Sequence, residues 1–293
     1  MRCDLHVHTK ASGRITTPFI RHFCNESYND ADAVYDRAKR LGMSIVTVTD
    51  HDAIDAVEIL RSHSDFFLSE EVTCTMPSGT ELHLGVYGIS ERDHIEIQRR
   101  RTDFLSLLMY LTERKIFYSV NHVFSGLTGH RKLEDFEWFA SYALALETRN
   151  GQMWSRANQE AERLAVSYGK IGIAGSDSHT LAGIGRTFTE VPGARTIEDF
   201  FAGLRARRGR IRGEHGNLAK ITADVFRVTA SLLRESPWTI ALSPLAVLLP
   251  AITVSHWINE IRFCKQWSRQ LNATESAPRL LWDLDAVGCN EVL

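Results

Sequence analysis

The chain has 293 residues, of which 44% are hydrophobic and 24% charged, with 19 Gly and 7 Pro; this excludes collagen-like, mucin-like and disordered classes. At roughly 150 residues per domain the length holds one large domain or two small ones, and a core can form without covalent staples. With 34 Lys+Arg against 36 Asp+Glu the formal charge is −2, so a general nucleic-acid coat is excluded.

Residues 2–8 read as a short strand, followed by an irregular polar stretch from Thr9 to Asn29. Asp30 is placed to cap a helix over 31–41, stopped at Gly42. Ser44–Thr49 is a β-branched strand ending at Asp50-His51-Asp52, and a helix near 54–62 follows. Strands near 65–74 and 82–87 flank the turn Pro77-Ser78-Gly79. One long helix is expected over 91–114, then strand 116–121, helix 132–141, strand 143–147, helix 154–168, strand 171–175 and strand 187–191. Thr196 and Asp199 form a capping box that opens a helix to about residue 208. The alternation predicts an α/β fold with a parallel sheet, and roughly six or seven β/α steps suit a closed barrel better than a doubly wound sheet. No G-x-G-x-x-G or G-x-x-x-x-G-K-[ST] is present to cradle a dinucleotide or a nucleoside triphosphate.

Five cysteines (Cys3, Cys24, Cys74, Cys264, Cys289) are widely spaced without C-x-x-C, which argues against a disulfide framework and for a reducing, cytoplasmic setting. The N-terminus, MRCDLHVHT, lacks the apolar core of an export signal.

Chemistry concentrates in the twelve histidines. Asp4-Leu5-His6-Val7-His8 sets three polar side chains on one face of a strand, because side chains alternate. Two neutral imidazoles one pleat apart can hold a cation, with Asp4 orienting one of them. Asp50-His51-Asp52 closes an apolar strand, where ionisable groups need partners or a metal; Asp52 can equally cap the next helix. Asn121-His122 ends another strand, and Gly175-Ser176-Asp177-Ser178-His179 places Asp177 and His179 two apart. Of Glu70 and Glu71, alternation against Val72 and Cys74 turns Glu71 inward, and the same argument turns His83 inward as a supporting residue. These donors gather at strand C-terminal ends, where barrel enzymes carry their sites. Imidazole mixed with carboxylate suits Zn, Mn or Fe, and the donors exceed one tetrahedral ion, which implies two or three divalent metals.

His6-Val7-His8-Thr9, Thr49-Asp50-His51-Asp52, Asn121-His122 and Gly175-Ser176-Asp177-Ser178-His179 together resemble the four signature motifs of the PHP (polymerase and histidinol phosphatase) superfamily. The resemblance spans residues 1 to about 213 and implies a distorted (β/α)7 TIM-like barrel carrying a two- or three-metal phosphoesterase site. By that resemblance the metal ligands are His6, His8, His51, Glu71, His122, Asp177 and His179. The sequence departs from the pattern at Gly13 and Arg14, where such proteins usually carry another Asp or His; Glu26 or His22 are the nearby substitutes. His94 is the spare histidine between Glu71 and the third motif, on a predicted helix.

The expected activity is hydrolysis of a phosphate mono- or diester by a metal-bound hydroxide, with Asp4 and Asp50 orienting ligands. Lys10, Arg149 and Arg186 are the candidate substrate phosphate contacts. The Arg205–Arg212 basic run starts in a helix's last turn, where capping accounts for it. The partner is a small phosphorylated substrate, with nucleic acid entering only as substrate. Alternatives are amide hydrolysis in a similar metal barrel, or a metal-containing regulatory module acting through its C-terminal part. That part, residues 214–293, reads as a helical extension after a 1–213 catalytic domain, with a polar tail beyond about Trp267. Its segment 236–255 is uncharged, flanked by Trp238 and Trp257 and interrupted by Pro244 and Pro250. It has the length of a membrane span but two helix-breaking prolines, so spanning, peripheral membrane contact and self-association all remain open.

Overall fold

The computed structural model describes residues 1–15 and 20–276. Of the polar tail expected beyond about Trp267, residues 268–276 continue a helix, and the remainder, with Cys289, lies outside the described residues. A five-stranded sheet takes its strands in chain order: β2 (Ser69–Thr75), β3 (Glu81–Tyr87), β4 (Phe117–Val120), β5 (Ala145–Asn150) and β6 (Ile171–Gly175). A second sheet joins β1 (Arg2–Cys3), β7 (Thr187–Glu190) and β8 (Arg210–Gly213) through β7. The wholly parallel, closed sheet expected from the alternation is not what the ladders form. β2, β3 and β4 pair antiparallel, β4, β5 and β6 pair parallel, and the second sheet is antiparallel throughout. The reason is local at β2–β3, where Gly79, at φ +81°, turns the chain back on itself and Met76 N donates to Thr80 O at 2.8 Å. A tight hairpin can only return antiparallel, whereas the parallel pairs β4–β5 and β5–β6 are each joined by a single crossover helix, α5 and α6.

Two expected strands survive as extended chain with scattered pairing. The N-terminal segment passes β6, with Asp177 N donating to His6 O at 2.7 Å and His8 N to Ser178 O at 3.1 Å. Residues 44–49 lie between this segment and the five-stranded sheet: Thr49 N donates to Val7 O, Val46 bridges Phe66, and His51 bridges Glu71. The strand ends bearing the polar motifs are therefore drawn together although the two sheets are separate ladders.

The helices cover the sheets: α1 (Ala31–Arg40), α2 (Val57–Leu60), α3 (Glu91–Arg100), α4 (Phe104–Glu113), α5 (Leu133–Tyr142), α6 (Ser155–Ser167) and α7 (Ile197–Arg205). The single helix expected over 91–114 is two, because the Asp103 carboxylate accepts from Ser106 N and starts a new helix. Thr196 and Asp199 make the expected capping box of α7. Within the basic run, Arg205 donates to Lys115 O, whereas Arg210 and Arg212 belong to β8 and Arg212 pairs with Glu190. The outward faces of β2, β3 and β5 bury Val72, Leu82, Leu84 and Leu146 against Leu107, Phe136 and Phe139 of the helices. Each such side chain contributes about 1.5–3 kcal/mol on burial.

Beyond β8 the chain is helical: α8 (Leu218–Glu235), a 3-10 stretch over Pro237–Leu248, and α9 (Leu249–Ser276). The far half of α9 docks on the main core through Cys264, Trp267 and Leu271, with Trp267 5.3 Å from the Phe136 ring. The preceding apolar segment does not dock in this way, and Ile240, Leu245, Val247 and Ile252 are all more than half exposed. Among the described residues, Pro237–Ala273 is long and apolar enough to cross a membrane by length and composition.

Candidate metal centre

Extended chain ends deliver the site. His6 and His8 come from the segment after β1, His51 from the chain end beside β2, Glu71 and His83 from β2 and β3, His122 from just after β4, and Asp177 and His179 from the loop after β6. They form four overlapping groups: His8, His51, His179; His6, His8, Asp177; His6, Glu71, His122; and His51, Glu71, His83. Within each group the ligand atoms lie no more than 4.8 Å apart. Glu71 is the hub, with its two oxygens 3.1 Å from His6 Nε2, 3.5 Å from His8 and His51 Nε2, 3.5 Å from His83 Nδ1 and 3.2 Å from His122 Nε2. His122 and Asp177 both carry positive φ, +29° and +51°, which non-glycine residues adopt at a cost and which clusters at functional sites.

Ring orientation is held from behind. Ser12 Oγ donates to Asp50 at 2.7 Å, so it is left to accept from His8 Nδ1 at 3.0 Å, and the His8 Nε2 lone pair faces the cluster. Glu147 Oε1 lies 2.9 Å from His6 Nδ1, which directs His6 Nε2 toward Glu71 and Asp177. His179 Nδ1 sits 3.2 Å from Asp177 O, turning its Nε2 inward.

The donor set suits divalent metal. His8 Nε2, His83 Nδ1, His122 Nδ1 and His179 Nε2 are buried without a hydrogen-bond partner among the described residues, an arrangement that costs free energy unless something binds them. Burial, reinforced by the neighbouring His179, pushes His8 down to about 3 and keeps it neutral, the form that ligates. Burial opposes the charged forms of Glu71 and Asp177, but the surrounding imidazoles, His6 first, hold both carboxyls well below the usual range. Burial likewise opposes His51, yet Glu71 and Glu26 raise it to about 9. Two negative carboxylates among neutral and charged imidazoles make a pocket of N and O donors of the kind that holds Zn, Mn or Fe.

All seven motif residues, His6, His8, His51, Glu71, His122, Asp177 and His179, fall inside this cluster. His83, expected as a supporting residue, sits in it as well. Glu26 lies at its open edge, 3.3 Å from His179 Nε2 and 3.4 Å from His51 Nε2. His94 is on the other face of β2, 2.9 Å from Glu70. The two aspartates divide. Asp50 reaches His8 through Ser12, whereas Asp4 accepts from Ser176 N and Gly185 N, each at 2.7 Å, and ties two loops together instead of orienting a ring. Of the proposed phosphate contacts, Lys10 pairs with Asp30 and Glu235, Arg186 with Glu214, and Arg149 donates to Gly213 O. None of the three forms an ion pair with the cluster carboxylates among the described residues. Glu147 and Ser12 escaped the sequence reading. The signal for Glu147 was available in Ala145-Leu146-Glu147, an acid inside an apolar strand.

The segment 155–208, from α6 to just past α7 and including Asp177 and His179, matches the model of a family described as PHP-associated. A two-domain protein from Bacteroides vulgatus, containing a predicted PHP-like metal-dependent phosphoesterase, superposes with TM-score 0.55 at 17% identity. The match covers 73% of this chain and 64% of that one, so the chain spans under two thirds of that protein. The fold is similar to that of this PHP-like protein. PsfC from Pseudomonas syringae is also similar in fold, with TM-score 0.57, 16% identity, and coverage of 78% of this chain and 98% of that one. No curated protein matches the sequence. The PHP-associated match places the Asp177–His179 loop within the family segment, while the other motif residues lie N-terminal to it.

Proposed function

We propose that the protein is a metal-dependent phosphoesterase that hydrolyses a phosphate mono- or diester at the His6–His179 cluster, holding two or three Zn, Mn or Fe ions. The observation that carries this reading is the convergence of six imidazoles on Glu71 and Asp177, with His8 Nε2 and His83 Nδ1 buried beside Glu71 without a hydrogen-bond partner among the described residues. His6, His8, His122, His51, His83 and His179 would supply nitrogens to the ions, Glu71 and Asp177 would supply oxygens, and Glu26 would take the ligand place that Gly13 and Arg14 leave empty. Bound divalent metals neutralise charge on the phosphate and activate water. Glu147 and the Ser12–Asp50 pair keep His6 and His8 in the tautomer that presents Nε2.

Elemental analysis of protein purified without chelators is expected to give at least two transition-metal equivalents. Hydrolysis across a panel of phosphate esters, with Mn, Zn and Fe each added back, is expected to be lost in His8→Ala and Asp177→Ala while the protein stays folded. Less than one equivalent of metal, or full activity in both variants, would overturn the reading.

A further inference from the structure

A cavity of about 370 Å³ opens over the Asp177–His179 edge of the cluster. Its floor is polar, but its walls are not: Met153 and Trp154 close one side, Ile221 and Val225 of α8 a second, and Ile252 and Trp257 of α9 a third. The Trp154 and Trp257 rings meet edge to face at 6.4 Å. Most polar residues on the walls are already engaged, whereas the buried Trp154 Nε1 has no hydrogen-bond partner among the described residues. Gln152 donates to Asp224 at 3.1 Å, Asp224 also accepts from Thr180 at 2.8 Å, and Glu260 accepts from Gly126 N at 3.1 Å. What faces the space is therefore mostly hydrocarbon, contributed largely by the C-terminal helices, with Trp154 Nε1 and His256 as isolated polar groups and the ligand cluster at one end. The size falls within the range of small-molecule pockets, which is about 300–1,000 Å³.

A phosphate held at the cluster can direct its ester group into this chamber. A sugar or nucleoside there would exchange water for walls that offer it few free hydrogen-bond partners, leaving its polar groups unpaired at a cost in binding. A hydrocarbon group suffers no such loss. We infer that the alcohol portion of the substrate is apolar, making the substrate class a phosphate ester of a hydrocarbon alcohol. This rests on the phosphoesterase reading above. In the reaction, the oxygen of water bonds to phosphorus, the phosphorus–oxygen ester bond breaks with its electrons going to the alcohol oxygen, and that oxygen takes up a proton. The C-terminal helices then act as the specificity element, selecting the leaving group by burying it.

Calorimetric titration of the metal-loaded full chain with methyl-, butyl- and hexylphosphonate, which cannot be hydrolysed at the carbon–phosphorus bond, tests the chamber without turnover. Affinity is expected to rise by about fourfold per methylene until the space is filled. Val225→Asn is expected to flatten that gradient, and so is Ile252→Asn, whose side chain is 57% exposed and whose substitution spares the fold. Equal affinity for methyl- and hexylphosphonate, or an unaltered gradient in the folded Ile252→Asn protein, overturns the inference. Turnover of the matching alkyl phosphates is read separately. A gradient in phosphonate binding without hydrolysis of any ester supports the apolar chamber and rejects the phosphoesterase reading; hydrolysis without the gradient does the reverse.

Discussion

Replacing Glu147 with Gln changes almost no volume and tests whether the centre depends on a residue that no motif contains. Glu147 faces three donors: His6 Nδ1 at 2.9 Å, His122 N at 3.0 Å and Asn150 Nδ2 at 2.9 Å. A carboxylate accepts from all three. A carboxamide has one acceptor oxygen and one NH2, so it either sets a donor against His122 N and Asn150 Nδ2 or turns its NH2 to His6 Nδ1, which can pair with it only by moving the ring proton to Nε2. Leaving a buried group unpaired costs about 1–3 kcal/mol. If the amine faces His6, that ring loses the partner that holds its tautomer; if it faces the other edge, the backbone entering His122 is displaced. Loss of a partner behind a ligating histidine typically weakens metal affinity by about 10- to 100-fold. Competition against a chromogenic chelator measures that change for Zn and Mn, and denaturation of the metal-free protein measures the stability loss separately. Metal affinity within twofold of the parent in a folded Glu147→Gln protein would refute the argument that Glu147 sets the His6 ring.

Gly175→Ala should damage the same ligand from its backbone side, since the added methyl would stand 2.3 Å from His6 Cβ and 2.5 Å from His6 N. Overpacking of this kind costs about 1–3 kcal/mol, so a lowered melting temperature together with weaker metal binding is expected, and an unchanged value of both would show that the segment shifts freely. Burial pushes the thiols of Cys74 and Cys264 up to about 12 and about 11, and Cys3 is raised as well. All three should resist a thiol reagent at pH 8 in the folded protein and react on unfolding, as peptide mass spectrometry would show. For the Pro237–Ile258 region, Pro244 and Pro250 lack the backbone N–H that would satisfy a carbonyl of the preceding turn in a span, and the following part of α9 is committed to the core. Any membrane-bound fraction should therefore be released by high salt or alkaline carbonate; retention until detergent is added would establish a span.

The local sequence determined which residues carry chemistry and which way they face. Period-two alternation is a property of the strand itself, so His6 with His8, and Glu71 against Val72, could be placed on their faces without knowing any neighbour. The Thr196–Asp199 box was equally legible, because a cap uses only atoms within one turn. Asp103 shows the limit even of local signals: the hydrophobic run across 91–114 outweighed a single capping residue that in the fold divides the helix. Other features belong to the tertiary structure alone. Glu147 and His6 are 141 positions apart, and nothing in either segment specifies the other until β5 and the N-terminal segment are packed beside β6. The division of the strands into two ladders was likewise decided by pairing between chain ends. So was the apolar chamber, since the segments that wall it, around Trp154, Val225 and Ile252, meet only when α8 and α9 fold back over the metal loop. Alternation and capping act over a few residues and are written in the chain; contacts between distant segments depend on which packing buries the most apolar surface, and only the folded molecule contains that choice.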